Sequence, residues 1–469
     1  MAKLTRRNAI LPAAASTLLF SFLLFAHLPA PSSAQQAPPA QPDATAAAQT
    51  LDAAVSVLFT QTAEAKEQIA PTLTVQAAFE VAMTVTAAAP PALAQIPLEA
   101  LRVISVQKTD LIAGPMNTTA VLSPDGTRFA HTTRDRLCIY TIDVVEQSCA
   151  NLLAHDELGV LDPESIYWSP DGSWLTFTSR SFQYFRDSDI WVMNANTGAL
   201  ANLTDDGTNT GLFQPDADGY LDVSPRWLPD GRIVFLRYAF FSGEGNWGPP
   251  ELYAIAPTGG EPERLGRLHH DEPLRTTLIA PAADGARIAY DYYGFDRFEH
   301  DGPWLSDLDG SRAGPAWNWD TPRDNSNIAR TVMGAAFSPD GRYLLSIVPF
   351  LEIALSVDTE SSAIRLTPLA DVPTIPQTVN AEIGAVIGAG WLPASRAGAA
   401  LVYLVHNPTD PDVSGLYVAA EPGAPGRQVL QGLYRPPASY WRMPLLWGEK
   451  NTILLADGNY QLVIITLGQ

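Results

Sequence analysis

The stretch Ile166 to Thr204, IYWSPDGSWLTFTSRSFQYFRDSDIWVMNANTGALANLT, decides the fold. Ile166 to Trp168 reads as a short apolar strand. Ser169-Pro170-Asp171-Gly172 then reads as a turn, in which proline presets φ and glycine takes the position that needs φ > 0. Trp174 to Ser179 alternates apolar and polar residues as a half-buried strand does, and Ile190 to Met193 forms a third strand. Asn196-Thr197-Gly198 turns the chain into a fourth at Leu200 to Leu203. Four antiparallel strands joined this way make one blade of a propeller.

The marker of that blade returns along the chain. It appears as Leu122-Ser123-Pro124-Asp125-Gly126, Trp168 to Gly172, Trp227-Leu228-Pro229-Asp230-Gly231, a loosened Pro281-Ala282-Ala283-Asp284-Gly285 and Phe337 to Gly341, then as the eroded Trp391-Leu392-Pro393 and Trp447-Gly448. Successive turn glycines are 46, 59, 54 and 56 residues apart, and Trp391 and Trp447 extend the series by steps of 54 and 56. A minimal blade needs roughly 40 to 45 residues, so the excess falls in loops. The last repeat supplies only three strands, near Leu445 to Trp447, Thr452 to Ala456 and Gln461 to Thr466. The orphan strand Leu101 to Gln107 is the natural fourth. Closing the ring this way removes two exposed sheet edges.

These motifs, WSPDG followed by an apolar strand and then DIWVMNANTG, resemble the TolB-like family of propeller repeats, relatives of the WD-type repeat. The resemblance spans about 370 residues, roughly four-fifths of the chain. It implies a propeller and little about chemistry, since such repeats occur in binding proteins and in the propeller parts of some peptidases and lyases. The chain departs from TolB proper, whose pattern implies six blades behind a compact α/β domain. Here seven markers follow an Ala/Thr-rich stretch. The expected fold is therefore all-β: a seven-bladed propeller of four-stranded antiparallel blades, with the N-terminal strand closing the last one.

Ahead of the propeller, at residues 98–469, stand two other segments. Residues 1–34 carry Lys3, Arg6 and Arg7, an apolar run from Ala9 to Leu28, and the small residues Ser32 and Ala34, the layout of an export signal cut after Ala34. The rival reading is an uncleaved anchor, since the run approaches the roughly 20 residues a bilayer requires. Pro12 and Pro29 shorten the usable helix and favour cleavage. Residues 35–97 are rich in Ala, Thr, Gln and Pro, bounded by Pro38-Pro39 and Pro90-Pro91, and read as a linker or stalk with transient helix. Residues 1–34 hold three basic residues and no acid, so their removal takes the net charge from −21 to −24. That balance argues against nucleic acid or an anionic membrane as a partner. Membrane contact is expected only through an uncleaved N-terminal segment, and the location is extracytoplasmic: secreted, periplasmic or at the cell surface.

Two cysteines occur, Cys138 and Cys149. They fall on neighbouring strands joined by a short turn, and export places them in an oxidising compartment, so a cross-strand disulfide is expected. Two buried free thiols are the alternative. The spacing of a redox or zinc site is missing.

No GxSxG, HExxH, P-loop or GxGxxG signature is present, and the propeller leaves no room for a hydrolase domain. His269-His270-Asp271-Glu272 is the one dense group of metal-ligand types in the sequence; a solvated polar loop explains it as well. Asp216, Asp218, Gly219 and Asp222 form a DxDGxxxD-like run that suits calcium through oxygen ligands, against the bland reading of an acidic turn. No other cofactor is expected. Topology supplies a further signal. The SPDG and NTG turns share one face, so the longer connections share the other. Those connections collect Phe182, Tyr184, Phe185, Phe240, Phe241, Trp247, Tyr292, Tyr293, Phe295, Phe298, Trp317, Trp319, Tyr434, Tyr440 and Trp441. Aromatics displayed together suit sugar stacking or a protein hot spot; local caps over the blades are the other reading. The expected binding residues are Tyr184, Phe185, Trp247, Tyr293, Phe295, Trp317, Trp319, Tyr440 and Trp441. The expected function is an exported, non-catalytic propeller that binds a protein, peptide or glycan. The alternatives are a metal-assisted propeller enzyme, lyase- or hydrolase-like, and a structural envelope module.

Overall fold

The computed structural model describes residues 98–469 except 115–117, 156–157, 159–160, 164, 180–187, 208–218, 242–245, 270–277, 293–301, 317–332, 348–363, 369–376, 379–383, 394–399, 408, 439–444 and 469. The described residues lie within one compact unit, Thr84–Gln469. Among them no helix is long and apolar enough to cross a membrane. The export segment and stalk fall outside the described residues.

Strand β1 (Arg102–Ile112) comes first, and the chain then builds antiparallel sheets in sequence order. The first sheet is β2 (Thr119–Leu122), β3 (Arg128–Thr132), β4 (Arg136–Thr141) and β5 (Glu146–Asn151). The second is β6 (Tyr167–Trp168), β7 (Trp174–Thr178), β8 (Ile190–Asn194) and β9 (Leu200–Asn202). The third holds β10 (Gly219–Trp227), β11 (Ile233–Phe241), β12 (Asn246–Trp247), β13 (Glu251–Ile255) and β14 (Glu263–Arg267). Then come β15 (Ile279–Pro281), β16 (Arg287–Tyr292), β17 (Gly302–Asp307) and β18 (Gly314–Pro315), followed by β19 (Met333–Phe337), β20 (Tyr343–Ile347), β21 (Ile364–Pro368) and β22 (Gln377–Thr378). A further sheet is β23 (Ala385–Trp391), β24 (Leu401–His406), β25 (Gly415–Ala419) and β26 (Arg427–Gln431). The last pairs β27 (Trp447–Gly448), β28 (Thr452–Ala456) and β29 (Gln461–Gly468) with β1, in the order β1-β29-β28-β27.

The expected seven four-stranded blades are thus corrected. Among the described residues six sheets have four strands, and the remaining sheet has five. The cause is local. The run IVFLRYAFF has no breaker, so β11 extends to Phe241, and β12 folds back on it with Phe240 opposite Trp247 and Phe241 opposite Asn246.

Each sheet touches the next through a specific contact. The indole Nε1 of Trp168 donates to the Val121 carbonyl at 2.9 Å, and that of Trp227 donates to Tyr167 at 3.0 Å. Ile279 N donates to Ser224 Oγ at 3.1 Å. Arg287 lies over the Phe337 ring at 5.6 Å, and the Tyr343 and Trp391 rings are 6.4 Å apart. Leu445 N donates to the Ala389 carbonyl at 2.8 Å, and Glu449 N to that of Pro124 at 3.1 Å. The contact from the last sheet to the first closes the ring of an all-β propeller.

The strand β1 runs antiparallel to β29, from Arg102 opposite Gly468 to Ile112 opposite Gln461. His131 Nε2 donates to the Ile112 carbonyl at 2.8 Å, tying the end of the closing strand to the first sheet. The outer edge of β1 is interrupted by two register shifts and carries Lys108, bridged to Asp457 at 3.0 Å; bulges and a lysine are how natural edges resist pairing with other chains.

The SPDG segments form the same turn five times. Gly126, Gly172, Gly231, Gly285 and Gly341 have φ of 71°, 70°, 85°, 67° and 70°, which only glycine adopts without steric cost. Each glycine N–H donates back three residues, to Ser123, Ser169, Leu228, Ala282 and Ser338.

Candidate binding face

The strand order gives the propeller two unlike faces. On one lie the SPDG turns and the turns between third and fourth strands. The aspartates of the five repeated turns are consumed locally: Oδ1 of Asp125, Asp171, Asp230, Asp284 and Asp340 accepts the backbone N–H two residues on. In three turns the serine hydroxyl also donates to that oxygen, at 2.6 Å from Ser123, Ser169 and Ser338. Partial burial pushes Asp125, Asp171 and Asp340 up, but these hydrogen bonds outweigh it and hold all three below the ordinary carboxylate value. The repeated aspartates are turn locks rather than a ring of ligands.

A depressed folded-state value means the carboxylate stabilises the fold above its unfolded pKa of about 3.9, and that this is lost as pH falls through the folded value. Asp125→Ala, Asp171→Ala and Asp340→Ala should therefore each cost about 1 kcal/mol at pH 7. The triple variant should lose less stability than the parent between pH 4 and pH 2. Thermal melts across that range test this, and parallel curves for parent and variant would show that the turns contribute nothing through their charge.

The opposite face receives the other strand ends. Ile112, Leu153, Tyr220 and Leu433 stand there among the exposed large apolar side chains, while Val145 stands on the turn face. Tyr220, 43% exposed, is the second residue of β10, and its ring is backed by the Arg237 guanidinium at 4.6 Å. Arg237 also lies 4.9 Å from the Tyr253 ring and 5.5 Å from that of Phe235. Its Nε and a terminal nitrogen donate to the two oxygens of Asp222 at 2.7 and 2.6 Å. Burial lowers Arg237, but the hydrogen bonds to Asp222 and the charge of its carboxylate raise it more, so the guanidinium is held charged. The main chain of Asp222 is fixed too: its N–H donates to Ser188 at 2.8 Å, and its carbonyl accepts from Thr178 Oγ1 at 3.1 Å. Tyr220 is thus an exposed ring on a rigid charged base. The sequence carried a signal for it: Arg237 is the one charge in the apolar run of β11, and a charge there requires a buried partner.

Of the residues expected to bind, Tyr184, Phe185, Tyr293, Phe295, Trp317, Trp319, Tyr440 and Trp441 lie outside the described residues. Trp247 is described by its backbone only, in β12. Phe240, Phe241, Trp247 and Tyr292 were expected outside the strands and instead fall in β11, β12 and β16. For the calcium reading, Asp216 and Asp218 lie outside the described residues, and both oxygens of Asp222 are taken by Arg237. Of the His269 to Glu272 group, His269 is described, stacked on Trp304 with ring centroids 5.2 Å apart. Cys138 and Cys149 stand directly opposite each other on β4 and β5 and form a disulfide. With the Glu146 carboxylate their sulfurs make the one close group of three metal-ligand types among the described residues, and both sulfurs are spent in the bond.

No protein-family model matches the chain, and no curated protein matches it. Among solved structures, it is similar to a putative TolB from Agrobacterium tumefaciens at 14% identity and a TM-score of 0.35, covering 56% of this chain and 79% of that one. It is also similar to TolB from Acinetobacter baumannii at 12% identity and a TM-score of 0.34, covering 74% of this chain and 62% of that one, less than two thirds of the Acinetobacter protein.

Proposed function

We propose that this protein is an extracytoplasmic, non-catalytic β-propeller that binds a protein, peptide or glycan partner on the face opposite its SPDG turns. The observation that carries this is the unlikeness of the two faces. The turn face spends the aspartates of its five repeated turns on their own backbone, whereas the other displays Tyr220, Leu433, Leu153 and Ile112. The segments holding Tyr184, Phe185, Tyr293, Phe295, Trp317, Trp319, Tyr440 and Trp441 all join strands whose ends lie on that second face. Stacking on an aromatic ring with a fixed base costs little ordering entropy, which suits a sugar or an apolar peptide side chain. Export is supported by the basic head and apolar run of residues 1–34, and by a disulfide that persists only under oxidising conditions.

The test is a glycan and peptide array probed with the whole protein and with a Tyr220→Ala/Leu433→Ser double variant. Loss of binding by tenfold or more is expected in the double variant, while Val145→Ser on the turn face binds as the parent does. Binding unchanged in the double variant, or lost in Val145→Ser, would place the partner elsewhere. Stoichiometric metal with chelator-sensitive turnover would overturn the non-catalytic reading.

A further inference from the structure

The disulfide lies where the second sheet is seated on the first. The turn Asn194 to Ala199, between β8 and β9, rests on the end of β5. Gly198 has φ 74°, and a Cβ there would come within 2.5 Å of the Cys149 carbonyl oxygen, so the turn lies flush against that backbone. Beside it, Ser148 Oγ donates to the Ala195 carbonyl at 2.7 Å. Arg128 holds the same turn from β3, donating to Asn196 Oδ1 at 3.1 Å and to the Gly172 carbonyl at 2.7 Å. Two of these three holds therefore come from consecutive residues of one edge strand.

That strand is weakly determined. β5 has six residues, pairs only with β4 among the described residues, and leaves Glu146, Gln147 and Asn151 exposed. Its register shifts between Ile139 and Tyr140: Ser148 faces Ile139 while Glu146 faces Tyr140, so Gln147 is an extra residue immediately before the seat. A strand with a bulge and a solvated edge can slip, and a slip of one residue turns every side chain over. Such a slip would carry Ser148 away from Ala195. The covalent bond from Cys149 to Cys138 pins the register one residue past Ser148. Cys138 is buried, whereas Cys149 is only half-buried, so Cys149 is the more accessible residue of the pair.

We infer that the Cys138–Cys149 disulfide is a redox-sensitive lock on the junction between the first two sheets, opened by a dithiol reductant. The reductant's thiolate attacks Cys149 Sγ and displaces the Cys138 thiolate. Its second thiolate then closes a disulfide within the reductant and releases Cys149. Two electrons pass to the protein, and two protons end on Cys138 and Cys149 as thiols. With the register unpinned, the turn Asn194 to Ala199 keeps Arg128 and loses its rigid seat. Ring closure at β1 and β29 stays intact, because the last sheet packs on the opposite face of the first sheet from the second.

The experiment is hydrogen exchange on the whole oxidised protein, repeated after dithiothreitol treatment, with thiol alkylation to confirm reduction. Exchange in the peptide spanning 194–202 should rise at least tenfold, while the peptide spanning 401–419 stays unchanged. In the oxidised protein, Ser148→Ala should raise exchange in 194–202 by itself, and reduction should add little in that variant. Three results overturn the inference: a disulfide that resists dithiothreitol in the native protein, exchange that rises only within 136–151, or loss of the far-UV spectrum on reduction, which would make the bond a global staple.

Discussion

Replacing Asp222 with alanine is expected to remove about 3 to 5 kcal/mol of unfolding free energy, a large share of the 5 to 15 kcal/mol that holds a typical domain together. Asp222 is 1% exposed, and both its oxygens accept from Arg237. Truncation therefore does more than delete a favourable contact: it strands a guanidinium among the rings of Tyr220, Phe235 and Tyr253, where water cannot replace the carboxylate. Asp222→Asn keeps one acceptor and should cost less. Asp222→Leu with Arg237→Met removes both charges, and a buried pair exchanged for apolar residues is often neutral. The double variant should thus recover most of the loss. Denaturant midpoints at constant m-value give the comparison. A loss below about 1 kcal/mol for Asp222→Ala would show that the pair is no more than a surface bridge. The same series bears on calcium. If added calcium stabilises the parent but not Asp222→Ala, then Asp222 ligates a cation and its oxygens are not fully committed to Arg237.

Residues with a fixed backbone job were legible in the sequence. The SPDG turns announced themselves because proline and glycine restrict φ independently of what packs around them, and even the loosened Pro281 to Gly285 forms the same turn. The closing strand was legible by counting, since the last repeat lacked one strand and Leu101 to Gln107 had no other partner. That the strands of Cys138 and Cys149 are neighbours followed from their closeness in sequence, whereas the register that sets the two cysteines opposite each other is given by the structure. Where the reading failed, the deciding term was tertiary. Phe240, Phe241 and Trp247 looked like loop aromatics because a blade of ordinary length would have ended β11 earlier. Nothing local marks where an apolar strand must stop, and here it continues until β12 can pair with it. Asp222 looked like a calcium ligand because the run around it matches in spacing, and its partner sits 15 residues away on the adjacent strand. A spacing motif cannot show that an oxygen is already occupied. Arg237, a lone charge in an apolar strand, carried more information than the acidic run.

Truncating the chain after Tyr460 should abolish cooperative unfolding altogether, a larger effect than any single substitution. The missing strand, β29, lies between β28 and β1 and is the only strand paired with β1 among the described residues. Five of its residues, Leu462, Val463, Ile464, Ile465 and Leu467, are no more than 2% exposed. They serve two cores: Val463, Ile465 and Leu467 pack with Leu101, Leu404 and Leu416 across the seam toward the preceding sheet, and Leu462 and Ile464 pack with Phe129 and Leu122 of the first. Burying each such side chain contributes roughly 2 kcal/mol, so their loss is on the order of 10 kcal/mol, comparable to the whole stability of a domain. The loss is also topological. Without β29 the last sheet is left with an open edge at β28, and the free β1 becomes an aggregation-prone strand. The expected thermal trace is broad, with no single transition in calorimetry. A synthetic peptide of residues 461–469 supplied in trans should restore a sharp transition whose midpoint rises with peptide concentration, as binding linkage requires. A truncated chain that still melts cooperatively within a few degrees of the parent would mean that closure through β1 and β29 does not hold the ring, and that the remaining junctions from Trp168–Val121 round to Leu445–Ala389 suffice without it.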